Sequence, residues 1–278
     1  MLALPFPNID PIALQVGPLA IRWYGISYAV ALILSWFYVR QLLTRPNLWS
    51  PNRPPLTADD IEYLIAYIAA GVIVGGRLGH VLFYETTYYL TNPLKIFAVW
   101  EGGMSFHGGV IGTAIAIALF ARRFKAPLWT ISDLVCASVP IGILLVRTAN
   151  FVNGEVVGHE TSVPWAFVFP NWGDVPRHPA MLYEAALEGA LLFIVLYELI
   201  HRHFVLRQPG LVTAYFLIGY SLARIFCEFF KLVDFRLIFP PLPLTPGMVL
   251  SLPMLILGIW LLAKVKRERA AGPQSSGA

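Results

Sequence analysis

The chain has 278 residues, a mean hydropathy of +0.66, 57% hydrophobic residues and only 13% charged ones, against about 25% charged in an ordinary soluble domain. That composition excludes a soluble globular protein and points to a membrane protein. The net charge of +4 and pI of about 9.1 call for no acidic partner, since basic residues in a membrane protein more often record topology, and no nucleic acid is expected to bind.

The opening MLALPFPNIDP lacks a basic n-region and its prolines interrupt the apolar run, so no cleavable signal peptide is expected. Seven membrane spans are predicted in chain order, at about 20–43, 59–84, 105–122, 131–151, 181–201, 209–230 and 246–264, most of them near the roughly 20 apolar residues that a crossing helix needs. A barrel is not expected, because these runs do not alternate apolar and polar. Breakers separate them, as in RPNLWSPNRPP, RRFKAP and RQPG,. The segment 92–100 is too short to cross and is expected at the interface. The Trp-, Pro- and Gly-rich loop at about 152–180 is expected to form a small outer head. The fold class is therefore all-α, a polytopic membrane protein of about seven transmembrane helices, with one domain over 1–265 and a disordered cytoplasmic tail over 266–278.

Lysine and arginine between the spans set the orientation, because short cytoplasmic loops carry the excess. With the N-terminus outside, the inner side holds twelve (Arg40, Arg45, Arg53, Arg122, Arg123, Lys125, Arg202, Arg207, Lys264, Lys266, Arg267, Arg269) and the outer side five (Arg22, Lys95, Arg177, Lys231, Arg236). The expected topology is N-terminus out, C-terminus in.

Ionisable groups at membrane depth cost from about 2.5 kcal/mol upward, so each needs a partner or a purpose. In this orientation Arg22 and Tyr24, Arg77 and His80, His107, Arg147, His178, Tyr183 and Glu184, and Arg224 and Glu228 all fall at the outer ends of six spans. Chance would scatter them over both faces, so a cavity reached from the outer leaflet is expected. Tyr220, Arg224 and Glu228 recur at i, i+4 and i+8 on one helical face, and Arg147, Asn150 and Gly154 share another. An internal Arg224–Glu228 salt bridge is the plainer account of that pair, and a neutralising network around Arg147 is as good an account there as a ligand site. Gly71, Gly75 and Gly79, and Gly108 and Gly112, have the spacing that lets helices pack closely. The two cysteines, Cys136 and Cys227, are expected to be buried small side chains, with no metal or redox role.

Arginines facing an outer-leaflet cavity suggest phosphate, since guanidinium offers a planar fork of donors and keeps its charge when desolvated. A histidine among arginines and a carboxylate has the chemistry of a general base. Together they suggest phospholipid chemistry. A transporter for an anionic solute would also line a cavity with arginines, but it would need polar groups at the midplane and often inverted repeats. Here the polar groups favour one side.

The sequence resembles the bacterial prolipoprotein diacylglyceryl transferases nearly end to end. The resemblance runs through IRWYGISY (21–28), GGRLGHVLFY (75–84), GGMSFHGGVIG (102–112), RTANFVNGEVVGH (147–159), RHPAMLYEA (177–185), GYSLARIFCEFFK (219–231) and MVLSLPM (248–254). Its specific part is R-x-x-N-F-x-N-G-E-x-x-G. The resemblance implies a multi-pass enzyme of the bacterial inner membrane that moves the diacylglyceryl group of phosphatidylglycerol onto the lipobox cysteine thiol of a prolipoprotein, forming a thioether and releasing glycerol 1-phosphate. No cofactor or metal is implied. Carried over by motif, His107 is the candidate base for the thiol, and Arg147 and Arg224 are the phosphate clamps, with Glu228 positioning Arg224. Either arginine can instead lower the thiol pKa, with solvent or phosphate as proton acceptor. Tyr24, Asn150, Asn153, Glu155, Gly158, His178 and Tyr220 complete the expected substrate site. The chain departs from the family's usual residues at Ala180 and Met181, at His159, at Lys231 and around Met248, departures that on sequence alone concern peripheral contacts.

Overall fold

The computed structural model describes residues 4–7, 9–17, 19–99, 102–233, 237–239 and 242–270. Trp100, Arg236 and residues 271–278 of the expected tail lie outside the described residues.

Strand β1 (Leu4–Pro5) and an antiparallel hairpin of β2 (Ile12–Val16) and β3 (Leu19–Arg22) lead into the first long helix, α1 (Trp23–Leu43). Arg40 lies in its last turn, where a cation suits the helix dipole,. Helix α2 (Asp60–Phe83) follows, with Asp60 accepting from the Thr57 amide at 2.8 Å and its hydroxyl at 2.7 Å. The short α3 (Thr86–Thr91) and a 3-10 turn at Pro93–Phe97 bridge to α4 (Phe106–Arg123). Helix α5 (Leu128–Asn153) stops at Gly154, whose φ of 66° is the left-handed cap that glycine adopts without steric cost,. Strands β4 (Phe167–Val168) and β5 (Pro176–Arg177) come next. A single rod then joins α6 (Ala180–Glu184), a π-helical stretch (Ala185–Leu191) and α7 (Leu192–His203). Helix α8 (Leu211–Glu228), the hairpin of β6 (Leu237–Phe239) and β7 (Leu242–Leu244), and α9 (Pro246–Ala270) complete the described chain.

Among the described residues, six helices are long and apolar enough to cross a bilayer: α1, α2, α5, the 180–203 rod, α8 and α9. Their outer surfaces carry large apolar side chains such as Leu32, Phe37, Leu82 and Ile256, which suits hydrocarbon as solvent. The expected third span is present as α4, but its 18 residues include His107, Arg122 and Arg123, and it is not among the six. Helix α9 also runs past the expected end at 264. Lys264 lies 3.9 Å from Glu268, an i,i+4 pair that favours continuing the helix through the first residues of the expected tail,.

Helices α2 and α4 pack antiparallel with almost no side chain between them. A Cβ at Gly75 would lie 2.4 Å from the Gly108 carbonyl oxygen, and one at Gly112 would lie 2.0 Å from that of Gly71. The largest buried cluster sits at the opposite end of the helices from Arg147. It joins Leu42, Ile61, Phe120, Ile131, Leu134, Ile200, Val212 and Leu261 from seven helices. Asp133, the lone charge in its stretch of α5, is fully buried there and serves as a tertiary cap. It accepts from the Gly210 and Thr213 amides and the Thr213 hydroxyl, each at 2.7 Å, satisfying the first turn of α8,.

At the other end, β1 pairs parallel with β4 and β4 antiparallel with β5. Phe6, Phe151, Val157, Phe167, Phe169 and Met181 fill the space beneath. The 152–180 loop is thereby folded onto the ends of α5 and α6.

Candidate active site

The last turns of α5 carry Arg147, Asn150 and Asn153, and the Gly154 cap turns the chain so that Glu155 folds back over them. The Glu155 carboxylate accepts from Asn150 Nδ2 at 3.2 Å and Asn153 Nδ2 at 3.4 Å, while Asn150 Oδ1 accepts from Arg147 Nη1 at 3.5 Å. The motif R-x-x-N-F-x-N-G-E is thus a single hydrogen-bonded unit whose free end is a guanidinium.

That guanidinium meets a carboxylate from another helix. Glu184 Oε2 lies 3.0 Å from Arg147 Nε, and Glu184 Oε1 accepts from Arg224 Nη1 of α8. Arg224 Nη2 pairs with Glu228 Oε1 at 2.7 Å, one turn along α8. Glu188 Oε1 lies 3.6 Å from Arg224 Nη1. The Lys231 ammonium reaches Glu184 Oε1 at 3.3 Å and Glu228 Oε1 at 3.9 Å. Among the described residues, three cations and three carboxylates form one cluster.

Burial is uneven within it. Side-chain exposure is 0% for Glu184 and Glu188 and 3% for Glu228, but 23% for Arg147, 15% for Arg224 and 18% for Lys231. The carboxylates are sealed behind the cations, so the accessible face is positive. Glu228 also lies against the first turn of α9, where a Cβ at Gly247 would be 2.3 Å from Glu228 Oε1. A helix N-terminus, here capped by Thr245 through the Met248 amide at 3.1 Å, favours an anion at that point,.

Lys231, on sequence a peripheral substitution, is therefore part of the cluster. Burial is the largest influence on its ammonium and pushes its pKa below the usual lysine range, against the opposing pull of Glu184.

Gly158 plays a packing part. Its amide donates to the His178 carbonyl at 2.8 Å, and a Cβ there would lie 2.4 Å from the Phe230 carbonyl oxygen and 2.6 Å from His178 Cβ. The Leu232 amide closes the same junction by donating to Val157 O at 3.1 Å. His178 Nδ1 hydrogen-bonds the Tyr183 hydroxyl at 2.9 Å, and Trp165 Nε1 donates to the same oxygen at 2.8 Å. Burial, followed by His159, pushes the His178 pKa below its usual value. Ala180 and Met181 are fully buried, where a polar side chain would need a partner.

The other expected residues stand on neighbouring elements. Tyr24 opens α1, its hydroxyl 3.3 Å from that of Tyr28. Tyr220 stacks on Phe216 at 5.7 Å between centroids, one turn before Arg224. His107 is exposed in the first turn of α4, where Ser105 caps the helix by accepting from the Gly108 amide at 3.2 Å. Arg77 serves the fold: it donates to the carbonyls of Lys95, Ile96, Gly102 and Gly103, tying the α3–α4 connection to α2.

On sequence Glu184 is one of the polar groups at the outer span ends with no site role of its own, and Glu188 carries no assignment. The available signal was their i,i+4 spacing inside an apolar span, where two carboxylates need cations.

The prolipoprotein diacylglyceryl transferase family model matches residues 11–264. The chain belongs to that family. Relatives named phosphatidylglycerol–prolipoprotein diacylglyceryl transferase include one from Mesorhizobium japonicum, 47% identical over 99% of this chain and 96% of its own length. Another from Brucella anthropi is 47% identical, and one from Rhizobium meliloti 46%, each over 96% of both chains. In this diacylglyceryl transferase family member, the stretches carrying the cluster lie within the matched region.

Proposed function

We propose that the chain is a transferase that moves the diacylglyceryl group of phosphatidylglycerol to the lipobox cysteine of a prolipoprotein, with the Arg147–Glu184–Arg224 cluster as its phosphate site. The observation that carries this reading is the uneven burial, with sealed carboxylates behind partly open guanidiniums, in a chain of this family. Such a surface takes an anion and holds it through planar, permanently charged forks.

The chemistry follows from the product. A thiolate sulfur attacks the glyceryl carbon, the S–C bond forms as the C–O bond to phosphate breaks, and glycerol 1-phosphate leaves with the electron pair. Arg147 and Arg224 neutralise the charge that grows on the departing phosphate, which lowers the barrier because they are already oriented. A thiol with a pKa near 8.5 must lose its proton first, and His107 is the proposed acceptor. Asn150, Asn153 and Glu155 keep Arg147 aimed, and Tyr24 donates to the lipid phosphate.

In this reading residues 1–265 are one integral-membrane catalytic domain of the inner membrane, and α4 is the seventh crossing helix. The N-terminus and the 152–180 head face the periplasm, so substrates reach the cluster from the outer leaflet.

The test is transfer from acyl-labelled phosphatidylglycerol to a lipobox peptide by purified protein. Labelled peptide is expected, with loss in Arg147→Ala and Arg224→Ala. Full activity in both variants would overturn the phosphate assignment. Activity retained in His107→Gln with an unchanged pH profile would remove the base.

A further inference from the structure

We propose that Glu188 is a positioning residue for the transfer reaction, a second buried acceptor that holds the Arg224 guanidinium in place when the lipid phosphate competes with Glu184 for it. The inference rests on Arg224 being a phosphate clamp. Glu188 is fully buried, and among the described residues neither of its carboxylate oxygens has a hydrogen-bond partner. The separation of 3.6 Å from Arg224 Nη1 is within ion-pair range but longer than a hydrogen bond. A sealed carboxylate in that state is costly, and salt-bridge geometry alone does not account for it, since Glu184 and Glu228 already bond both terminal nitrogens of Arg224.

The backbone holds this arrangement rigidly. Glu188 lies in the π-helical stretch, an irregularity common at functional sites. The next residue, Gly189, abuts α5 so closely that a Cβ would be 2.8 Å from Leu144 Cα. On the facing side, a Cβ at Gly219 of α8 would lie 2.7 Å from Leu192 Cδ1. Glu188 and Arg224 are therefore carried by two elements pressed together. Glu184 is shared among Arg147, Arg224 and Lys231, so an entering phosphate draws on donors that Glu184 now occupies. Glu188 offers the same Nη1 a negative group that no other described residue hydrogen-bonds, and the guanidinium plane keeps its direction as charge develops on the leaving phosphate.

The test is steady-state transfer to the lipobox peptide with Glu188→Gln, Arg224→Lys and the double variant, each checked for folding by thermal unfolding in detergent. Losing an interaction that matters chiefly in the transition state should lower kcat in Glu188→Gln by about tenfold or more while KM for phosphatidylglycerol moves less than about threefold. Glu188→Asp, which keeps the charge, should recover part of kcat. The double variant should be no slower than Arg224→Lys. Wild-type kcat and KM in folded Glu188→Gln, beside an impaired Arg224→Lys, would overturn the assignment of Glu188 alone. So would equal losses in both backgrounds, which mean that it does not act through Arg224. A Glu188→Gln protein that fails to fold, beside a Glu188→Asp protein with wild-type kcat, would assign the residue to the fold and also overturn the proposal. Full activity in Arg224→Ala would overturn the clamp itself, since Lys at this position still offers phosphate a cation.

Discussion

Arg147 Nε of α5 lies 3.0 Å from Oε2 of Glu184, the last residue of α6. Because Arg224 holds the other oxygen, one sealed carboxylate sets the separation of two guanidiniums from different helices. Glu184→Gln keeps the shape but leaves both cations undercompensated, and transfer activity should fall on the order of 100-fold. Glu184→Ala should also destabilise the fold by about 3–5 kcal/mol. Peptide-transfer kinetics beside thermal unfolding in detergent check this, and a Glu184→Gln protein with wild-type turnover refutes it.

Asp133 satisfies two amides and a hydroxyl at the start of α8, far from the cationic cluster. Asp133→Ala leaves those donors unpaired in an apolar core and should cost about 3 kcal/mol or more. Residual transfer by the protein that does fold should remain near wild type. A thermal midpoint equal to that of the parent would contradict the capping role.

The α2–α4 contact is backbone against backbone. Gly112→Ala places a methyl 2.0 Å from the Gly71 carbonyl oxygen, so the helices must separate, at a cost of about 1–3 kcal/mol. The same change at Gly109, whose nearest neighbour is 3.9 Å away, should be neutral or stabilising by up to about 1 kcal/mol. Equal melting shifts for the two variants would show that the contact does not govern stability.

His178 is held below the ordinary histidine value of 6.5, first by burial and then by His159. The folded form thus prefers the neutral ring. As pH falls below 6.5 the unfolded chain takes up the proton first, so the stabilisation present above 6.5 is lost as pH drops through the folded-state value. His178→Gln should flatten this acid-side decline in thermal midpoint. An identical pH dependence in the variant would exclude His178 as its source.

The amino-acid sequence by itself determined the membrane class, the helices and their approximate ends. These follow from local quantities, namely the length of apolar runs, the breakers between them and the four-residue spacing of small residues. It also made the Arg147–Asn150–Glu155 unit legible, because its partners lie within nine residues. Tertiary structure alone decided that Glu184 bridges Arg147 and Arg224, that Lys231 joins them, that Arg77 is taken up by backbone carbonyls, and that Gly158 is a junction between three segments. An ion pair depends on a distance in space and on how deeply each partner is sealed from water. Packing of α5, α6 and α8 sets both, and no periodicity along any one of those helices encodes them.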